Sequence, residues 1–406
     1  MRTNDSTCHP ANLTTVPAGR KQQTSRFILP AATLLLSLLA GCQKEDFHDT
    51  LGASLPSTQV SSSAVVAKSE ALLALSSYDN KYYNQYGTYG PSFKANYWFD
   101  IAKTKRMDFW TQAEAIETVI DAYNVNPTPE YKNKIQYLYN GMRDAYGLLW
   151  SSNEFNDDVI WGSLMCVRAY EIWNDGGMLD MARQNFDLVW ARGWDTTLGG
   201  GLWWKTDKLS KNTCVNAPAA ICAMRLYKAT GNTAYRDKAK LIMDWLASRM
   251  YVASTGEVKG AMNQAGQITE GSLLYTQGTF IGAANELRPY YTSPDYRAMG
   301  LKAMDYASNS LSKSPGGILQ DEDAVLDIQG GKSIFARWAC IFVKETGTAA
   351  TYGPWLDLNA TQAWSIRNSN GIMWNLWSTR TSDTDNLNSW RTNGGVSMML
   401  NLYRFR

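Results

Sequence analysis

The chain has 406 residues and a formal net charge of +2, so it can hold one large domain or two ordinary ones and gives no indication of a nucleic-acid partner. Its only two histidines, His9 and His48, precede the region that we expect to fold. Ser-His-Asp and Cys-His catalysis, a histidine zinc site and a histidine-ligated haem are therefore excluded from that region. Proton transfer there must fall to carboxylates, Lys, Tyr or Cys.

The N-terminal segment has the pattern of a bacterial lipoprotein signal. An apolar run from Phe27 to Leu39 follows three basic residues and is too short to span a bilayer comfortably. It ends in Leu39-Ala40-Gly41-Cys42, which resembles a lipobox and implies cleavage before Cys42 and lipidation of its thiol. The acidic stretch that follows resembles an export signal of surface lipoproteins. We therefore expect an outer-membrane lipoprotein that is exposed at the cell surface.

Three regions are predicted along the chain. Residues 1–41 form an N-terminal extension and signal peptide, in which Met1–Gly19 has the character of an over-extended start. Residues 42–64 are rich in serine and are predicted to be a flexible tether. Residues 65–406 form the folded domain.

The folded domain is predicted to be all-α, because apolar residues recur there at helical spacing and no segment shows the sustained alternation of a strand. Turn signals such as Asn126-Pro127-Thr128-Pro129 and Asp175-Gly176-Gly177 separate the periodic segments. The predicted helices begin near Val65 and near Trp110 and continue with Tyr131–Leu149, Trp161–Trp173, Ala217–Ala229, Tyr235–Met250, Thr279–Tyr291 and Tyr296–Leu311.

Helical hairpins repeat along this domain. The segments YKATGNTAYRDKAK and PYYTSPDYRAMGLK share a turn, then Tyr-Arg, then a helix, with a period of roughly 50–60 residues. About six such hairpins fit the domain, and they suit either an open solenoid or a closed α/α toroid. The loops between hairpins carry Gly199–Trp204 and Gly316-Gly317, which in a toroid would line one rim.

Two adjacent carboxylates, Asp157 and Asp158, stand out in the segment NDDVIWG. We call them the acid pair. Two neighbouring acids can divide the work of a glycosidase, because one attacks the anomeric carbon while the other, kept protonated, donates to the leaving oxygen. The simpler alternative is that Asn156 caps a helix and the acid pair only occupies its first turn.

Metal sites have weaker support in the sequence. Asp321, Glu322, Asp323 and Asp327 resemble a calcium loop, but they lack the glycine and the closing glutamate of an EF-hand, so a solvated acidic loop is favoured. The cysteines of the domain show no C-x-x-C pair, and Cys166 and Cys222 are interpreted as small buried hydrophobic residues. We expect neither a metal nor a cofactor.

Five segments, in this order and spacing, resemble glycoside hydrolase family 76, whose members include endo-α-1,6-mannanases. They cover most of the chain from Leu72 to Leu402 and read NDDVIWGSLMCVRAYE, GWDTTLGGGLWWK, KNTCVNAPAAICAMRLYKATGNTAYRDKAKLIMDWL, LLYTQGTFIGAANEL and NATQAWSIRNSNG. The resemblance implies an (α/α)6 barrel. It also implies a retaining reaction with Asp157 as nucleophile and Asp158 as acid/base.

The resemblance further implies substrate contacts from Trp110, Trp161, Trp203, Trp204, Asn216, Tyr275 and Gln277. Core packing is the alternative for Trp203 and Trp204, and helix capping is the alternative for the three polar residues. Thr276 stands where the family has Asn, which puts the substrate contacts near it in doubt. Retention requires carboxyl groups about 5–5.5 Å apart. Adjacent residues meet that spacing if the backbone leaves regular helix at the acid pair.

The resulting hypothesis is a retaining endo-α-1,6-mannanase that acts at the bacterial surface on α-1,6-mannan or manno-oligosaccharides. We expect a monomer that touches the membrane only through its lipid. One alternative is a mannan transglycosylase, although fungal members of that kind would carry a hydrophobic C-terminal signal that Asn401–Arg406 does not resemble. The other alternative is a non-catalytic glycan-binding lipoprotein, against which the acid pair argues.

Overall fold

A computed structural model describes Val65–Arg406. The predictions for residues 1–41 and 42–64, including lipidation of Cys42, lie outside the described residues. The described part contains twelve α-helices. Their bounds are α1 Lys68–Tyr82, α2 Phe109–Val125, α3 Pro129–Tyr146, α4 Asn156–Trp173, α5 Gly176–Gly193, α6 Thr213–Thr230, α7 Thr233–Arg249, α8 Leu274–Leu287, α9 Tyr296–Ser310, α10 Gly331–Thr346, α11 Ala349–Ser365 and α12 Ser389–Asn401.

Six of these helices form an inner ring. Helices α2, α4, α6, α8, α10 and α12 each pack against the next, and α12 returns to pack against α2, which closes the ring. The remaining helices lie outside it as the partners of hairpins, and α1 packs on α12 so that the two ends of the domain form the sixth pair. The predicted (α/α)6 fold is confirmed, and the closed toroid is the correct one of the two predicted architectures.

The inner helices are buried on nearly all sides, whereas the outer helices bury one stripe. In α8 almost every residue is buried, while α9 buries only five positions at helical spacing. Small residues allow the inner helices to approach one another closely. A Cβ atom on Gly278 of α8 would lie 2.6 Å from the Cα atom of Phe335 in α10, so no larger residue fits between these two backbones.

Ion pairs fill part of the space that the inner ring encloses. Arg168 of α4 and Arg337 of α10 reach three acidic side chains on one face of α2, Glu114, Glu117 and Asp121. Arg404 joins them through Asp121. We call these six residues the core ion cluster. Their complementary charges are what makes such deep burial of carboxylates tolerable.

Short strands lie at the rims and were not predicted. An antiparallel hairpin pairs β1 (Tyr83–Tyr89) with β2 (Ser92–Tyr97). A small sheet has the order β3 (Ser210–Asn212), β6 (Ala261–Asn263), β7 (Ile268–Glu270), and β4 (Tyr251–Val252) pairs with β5 (Glu257–Val258). Most of these strands have two or three residues, and β1 buries no alternating face, so none produces a period-2 signal.

Several predicted boundaries also move. The helix expected from Trp161 begins at Asn156, and the one expected at Tyr131–Leu149 is Pro129–Tyr146. Helices α5, α10, α11 and α12 were not assigned from the sequence. Among the residues that the structure describes, no helix is both long enough and apolar enough to cross a membrane.

Candidate active site

One rim of the toroid carries a cleft of about 470 Å³ at the N-terminal ends of the inner helices. Five inner helices or the turns just before them contribute to it, and the remaining helix, α12, supports Trp110 through an edge-to-face contact with Trp390. The lining residues are Asp108, Trp110, Phe155, Asp157, Asp158, Trp161, Trp204, Asn212, Cys214, Glu270, Tyr275, Val325, Asp327 and Ile328. Helix N-termini carry partial positive charge, so the framework of this rim favours anions.

The acid pair occupies the first turn of α4, at the floor of the cleft. Phe155 is the N-cap, so the backbone at the pair is already helical. The expectation that the chain leaves regular helix at this point is wrong. The proposed capping role of Asn156 is also wrong, because its buried amide donates to the Trp203 carbonyl at 2.8 Å and accepts from Arg192 Nε at 2.7 Å. The acid pair therefore lies both in the first turn of a helix and in the cleft.

Asp157 is held by residues from outside its own helix. Its Oδ2 atom lies 3.4 Å from the Cys214 thiol at the start of α6. Burial raises the pKa of Asp157 to about 6, and the neighbouring Trp204 and Cys214 side chains oppose that rise.

Asp158 is in a less favourable environment for a negative charge. Its Oδ2 accepts from Asn153 Nδ2 at 3.0 Å. Burial and the adjacent charge of Asp157 nevertheless raise the pKa of Asp158 to about 7, and Asp327 and Asp108 add to the rise. Near neutral pH this arrangement favours one proton shared unequally by the acid pair, with Asp158 as its holder. An ionised and a protonated carboxyl side by side are the reagents of acid-assisted glycosidic cleavage.

The charged side chains that line the cleft are all acidic. Five of its side chains are carboxylates, Asp108, Asp157, Asp158, Glu270 and Asp327, and none of the lining residues is Lys, Arg or His. A cleft of this kind offers hydrogen-bond acceptors and aromatic faces, which suit an uncharged polyhydroxylated ligand.

Four of the predicted aromatic contacts line the cleft, namely Trp110, Trp161, Trp204 and Tyr275. Trp203 does not. Its Nε1 donates to Asp195 Oδ2 at 2.6 Å, and Lys211 lies over its ring. The backbone N–H groups of Trp203 and Trp204 bond to opposite neighbours, Gly193 and Ser210, so the two side chains also point to opposite sides. Core packing, the alternative for Trp203, is correct.

The structure does not bring the predicted polar contacts Asn216 and Gln277 into the cleft. Asn216 is fully buried and bonds the backbone N–H and carbonyl of Leu202, which fixes the loop that carries Trp204. Gln277 is also fully buried, and its amide donates to the carbonyls of Gly256 and Ala303. Both residues shape the walls of the cleft from behind, because all their strong hydrogen-bonding capacity is used within the protein.

The departure at Thr276 has a local explanation. Its hydroxyl bonds both the backbone N–H and the carbonyl of Leu273 and so caps the first turn of α8. Its side chain is fully buried and does not line the cleft. The difference at this position therefore changes a helix cap.

Some residues of the site were not predicted from the sequence, above all Asn153 and Cys214, which contact the acid pair. Cys214 lies inside one of the five matching segments, whereas Asn153 carries no recognisable pattern. The acidic residues considered for a calcium loop have different surroundings. Asp321 pairs with Lys332 and Lys313, whereas Asp327 lines the cleft. Within the described range no group of three Asp, Glu, Cys or His residues is arranged to hold a metal ion.

An (α/α)6 toroid with paired carboxylates in a cleft at its inner helix N-termini defines the class: a glycoside hydrolase of the α/α-toroid type. Residues 66–404 match the family model described as Glycosyl hydrolase family 76. Because the match covers most of the chain, the chain belongs to glycosyl hydrolase family 76.

Known proteins of similar structure and sequence agree with this assignment. The α-1,6-mannanase of Salegentibacter sp. HEL1_6 superimposes with a TM-score of 0.73 and 24% identity over 83% of this chain and 99% of that one. An inactive variant of it in complex with α-1,6-mannotriose gives a TM-score of 0.72, 23% identity and the same coverage of both chains. These identities establish the fold alone.

A curated relative is the mannan endo-1,6-alpha-mannosidase DFG5 of Saccharomyces cerevisiae, which is 34% identical over 140 residues. The match covers 32% of this chain and 29% of the length of the yeast protein.

Proposed function

We propose that this protein is a retaining endo-α-1,6-mannanase. The observation that carries the proposal is the acid pair, two adjacent buried carboxylates with raised pKa values in a cleft that contains no cationic side chain. The solved α-1,6-mannanase with the same fold and the α-1,6-mannotriose complex of its inactive variant support the choice of substrate.

In the proposed reaction Asp157 attacks the anomeric carbon and forms a mannosyl ester while the glycosidic C–O bond breaks. Asp158 donates its proton to the departing oxygen. In the second step Asp158, now ionised, takes a proton from water, the water oxygen replaces the ester oxygen at the anomeric carbon, and Asp157 leaves as the carboxylate. Two inversions give net retention. Trp110, Trp161, Trp204 and Tyr275 are the proposed contacts for the sugar rings.

The test is a reducing-end assay on debranched α-1,6-mannan with wild type, Asp157→Asn and Asp158→Asn. We expect the two variants to lose at least roughly a thousandfold in kcat with an unchanged circular dichroism spectrum. Asp207→Asn is the matched control, since Asp207 is an aspartate of the loop after Trp204 that does not line the cleft. Wild-type turnover in Asp157→Asn contradicts the proposal.

The products distinguish this proposal from its alternatives. Early release of a mixture of oligosaccharides supports internal cleavage, and proton NMR of the first product reports the anomeric configuration, which retention requires to be α. Products longer than the substrate would instead support a transglycosylase. Binding of mannan without any new reducing ends would support a glycan-binding protein.

We further propose that the protein is anchored at the cell surface through a lipid on Cys42, on the strength of the lipobox in the sequence. The experiment is metabolic labelling with a radioactive fatty acid in a bacterial host, compared with Cys42→Ser. Label on the wild type alone, together with sensitivity to protease added to intact cells, is the expected result. Equal labelling of the variant would overturn the anchor.

A further inference from the structure

Cys214 differs from the other cysteines of the described residues because it lines the cleft and contacts Asp157. It is the second residue of α6, it lines the cleft, and its Sγ atom lies 3.4 Å from Asp157 Oδ2. The other cysteines within the described residues, Cys166, Cys222 and Cys340, are fully buried and do not line the cleft. The contact joins α6 to the acid pair of α4 across the floor of the cleft.

In the contact between Cys214 and Asp157, the thiol is the hydrogen-bond donor. Burial raises the pKa of the Cys214 thiol well above its ordinary value, and the nearby charge of Asp157 raises it further. The sulfur therefore keeps its hydrogen, and the thiol donates while the carboxylate oxygen accepts. A thiol is a weak donor, but here it donates to an ionised acceptor, which strengthens the bond.

The two oxygens of Asp157 differ as a result. Oδ2 receives the thiol, whereas Oδ1 is buried and has no hydrogen-bond partner among the described residues. An unpartnered buried carboxylate oxygen is costly, so the donors to the other oxygen matter more for the stability of the carboxylate. The thiol therefore acts together with the Trp204 side chain, which also opposes the rise in the pKa of Asp157, to hold the carboxylate in place.

We propose that Cys214 is a positioning residue, which holds the Asp157 carboxylate through Oδ2 in the orientation needed for attack on the anomeric carbon of the bound sugar. This inference rests on the proposed function for the identity of the target, but the hydrogen bond itself is independent of the substrate. The thiol takes no part in bond making. It sets the orientation of the nucleophile and stabilises its ionised form.

The surroundings of Asp157 make this donor important. Asp158 faces it from the same helix, Trp204 from the loop before β3, Glu270 from β7 and Tyr275 from α8. Asp108 and Asp327 face the Asp158 side of the pair. None of these groups is a cation, so hydrogen bonds are what stabilises the Asp157 carboxylate. Removing the thiol is therefore expected to raise the pKa of Asp157.

Carbon-13 NMR titration of aspartate carboxyl groups tests the hydrogen bond without any need for turnover. The samples are wild type, Cys214→Ala and Cys214→Ser, with Asp157→Asn to assign the signal and Cys222→Ala as a control cysteine farther along the same helix. We expect Cys214→Ala to raise the pKa of Asp157 by roughly 0.5–1 pH unit. We expect the hydroxyl of Cys214→Ser to restore the wild-type value and Cys222→Ala to leave it unchanged.

The pH profile of kcat/KM on a manno-oligosaccharide supplies the second readout. The acidic limb should move upward by the same amount in Cys214→Ala, and kcat should fall several-fold while KM changes less than twofold. An unchanged Asp157 titration in Cys214→Ala, or equal shifts in the Ala and Ser variants, would overturn the positioning role. A shifted titration in a protein that cleaves no mannan would keep the hydrogen bond and reject only the proposed substrate.

Discussion

Two groups of buried carboxylates lie in the ring of inner helices, and they differ in what surrounds them. In the core ion cluster Arg337 meets Glu114 at 2.6 Å and Asp121 at 2.7 Å, and Arg168 meets Asp121 at 2.8 Å. In the cleft the acid pair meets only neutral donors and further acids. Buried carboxylates are therefore held in ion pairs where arginines neutralise them, and have raised pKa values where arginines are absent.

The physical basis of this difference is the cost of burying charge. A buried carboxylate must be paired, or it gains a proton more easily. In the core ion cluster the carboxylates are paired with arginines. The acid pair instead gains a proton more easily, because burial raises the pKa of both members into the range where proton transfer at neutral pH is efficient.

The largest expected effect comes from removing a cation of the core ion cluster. Arg337→Met leaves buried acids of α2 without their partner, so we expect the free energy of unfolding to fall by about 3–5 kcal/mol. Urea denaturation followed by circular dichroism measures it. Arg183→Met is the control, because the ion pair of Arg183 with Asp180 is exposed and should contribute less than about 1 kcal/mol. Equal losses in the two variants would mean that the core ion cluster contributes no more to stability than an exposed ion pair does.

The opposite sign is expected for the acid pair. Its pKa values are raised in the folded state, so between about pH 4 and pH 7 the folded protein binds more protons than the unfolded one. Stability from these groups is thus fully present at low pH and is lost as the pH rises through 6 and 7. Asp157→Asn, which mimics the neutral acid, should be more stable than wild type at pH 8 by about 1–3 kcal/mol.

Urea denaturation at pH 5 and pH 8 checks this second prediction. The loss of stability between the two values should be smaller in Asp157→Asn than in wild type. Asp207→Asn should follow wild type, because that residue lies away from the cleft. A variant that is less stable than wild type at pH 8 would mean that the acid pair is compensated after all.

The neighbouring residues Trp203 and Trp204 also allow a structural side chain to be compared with one that lines the cleft. Trp203→Phe removes the indole N–H that donates to Asp195, so stability should fall by about 1–2 kcal/mol with kcat/KM nearly unchanged. Trp204→Phe should leave stability unchanged and lower kcat/KM by roughly fivefold. Thermal unfolding and mannan hydrolysis are measured on both. Activity lost only in Trp203→Phe would reverse the assignment of the two side chains.

These residues also show how far the sequence leads. The ordered motifs predict the acid pair and, through the family resemblance, the toroid, whereas helical periodicity alone fits an open solenoid equally well. Ring closure depends on α12 reaching α2, about 280 positions earlier, which no local pattern encodes. A similar limit applies to Trp203, Asn216 and Gln277, which were predicted to contact the substrate but do not line the cleft. The motif identifies the segment, but the hydrogen bonds of the loops decide which side chains face the cleft.

The smallest expected effect concerns Asp327, which contributes to the high pKa of Asp158 from the cleft wall. Asp327→Asn removes a negative charge, so the ionised form of Asp158 becomes easier to form and its pKa should fall by a few tenths of a unit. The basic limb of the kcat/KM profile, which is expected to follow the pKa of Asp158, should therefore move to lower pH.

The control for this effect is Asp323→Asn in the same loop, where the aspartate pairs with Arg391 and does not line the cleft. It should leave the basic limb in place. Because the interaction of Asp327 with Asp158 is electrostatic, roughly 0.5 M salt should also reduce the difference between wild type and Asp327→Asn. A basic limb that moves upward, or a difference that grows with salt, would show that Asp327 does not act on Asp158 through its charge.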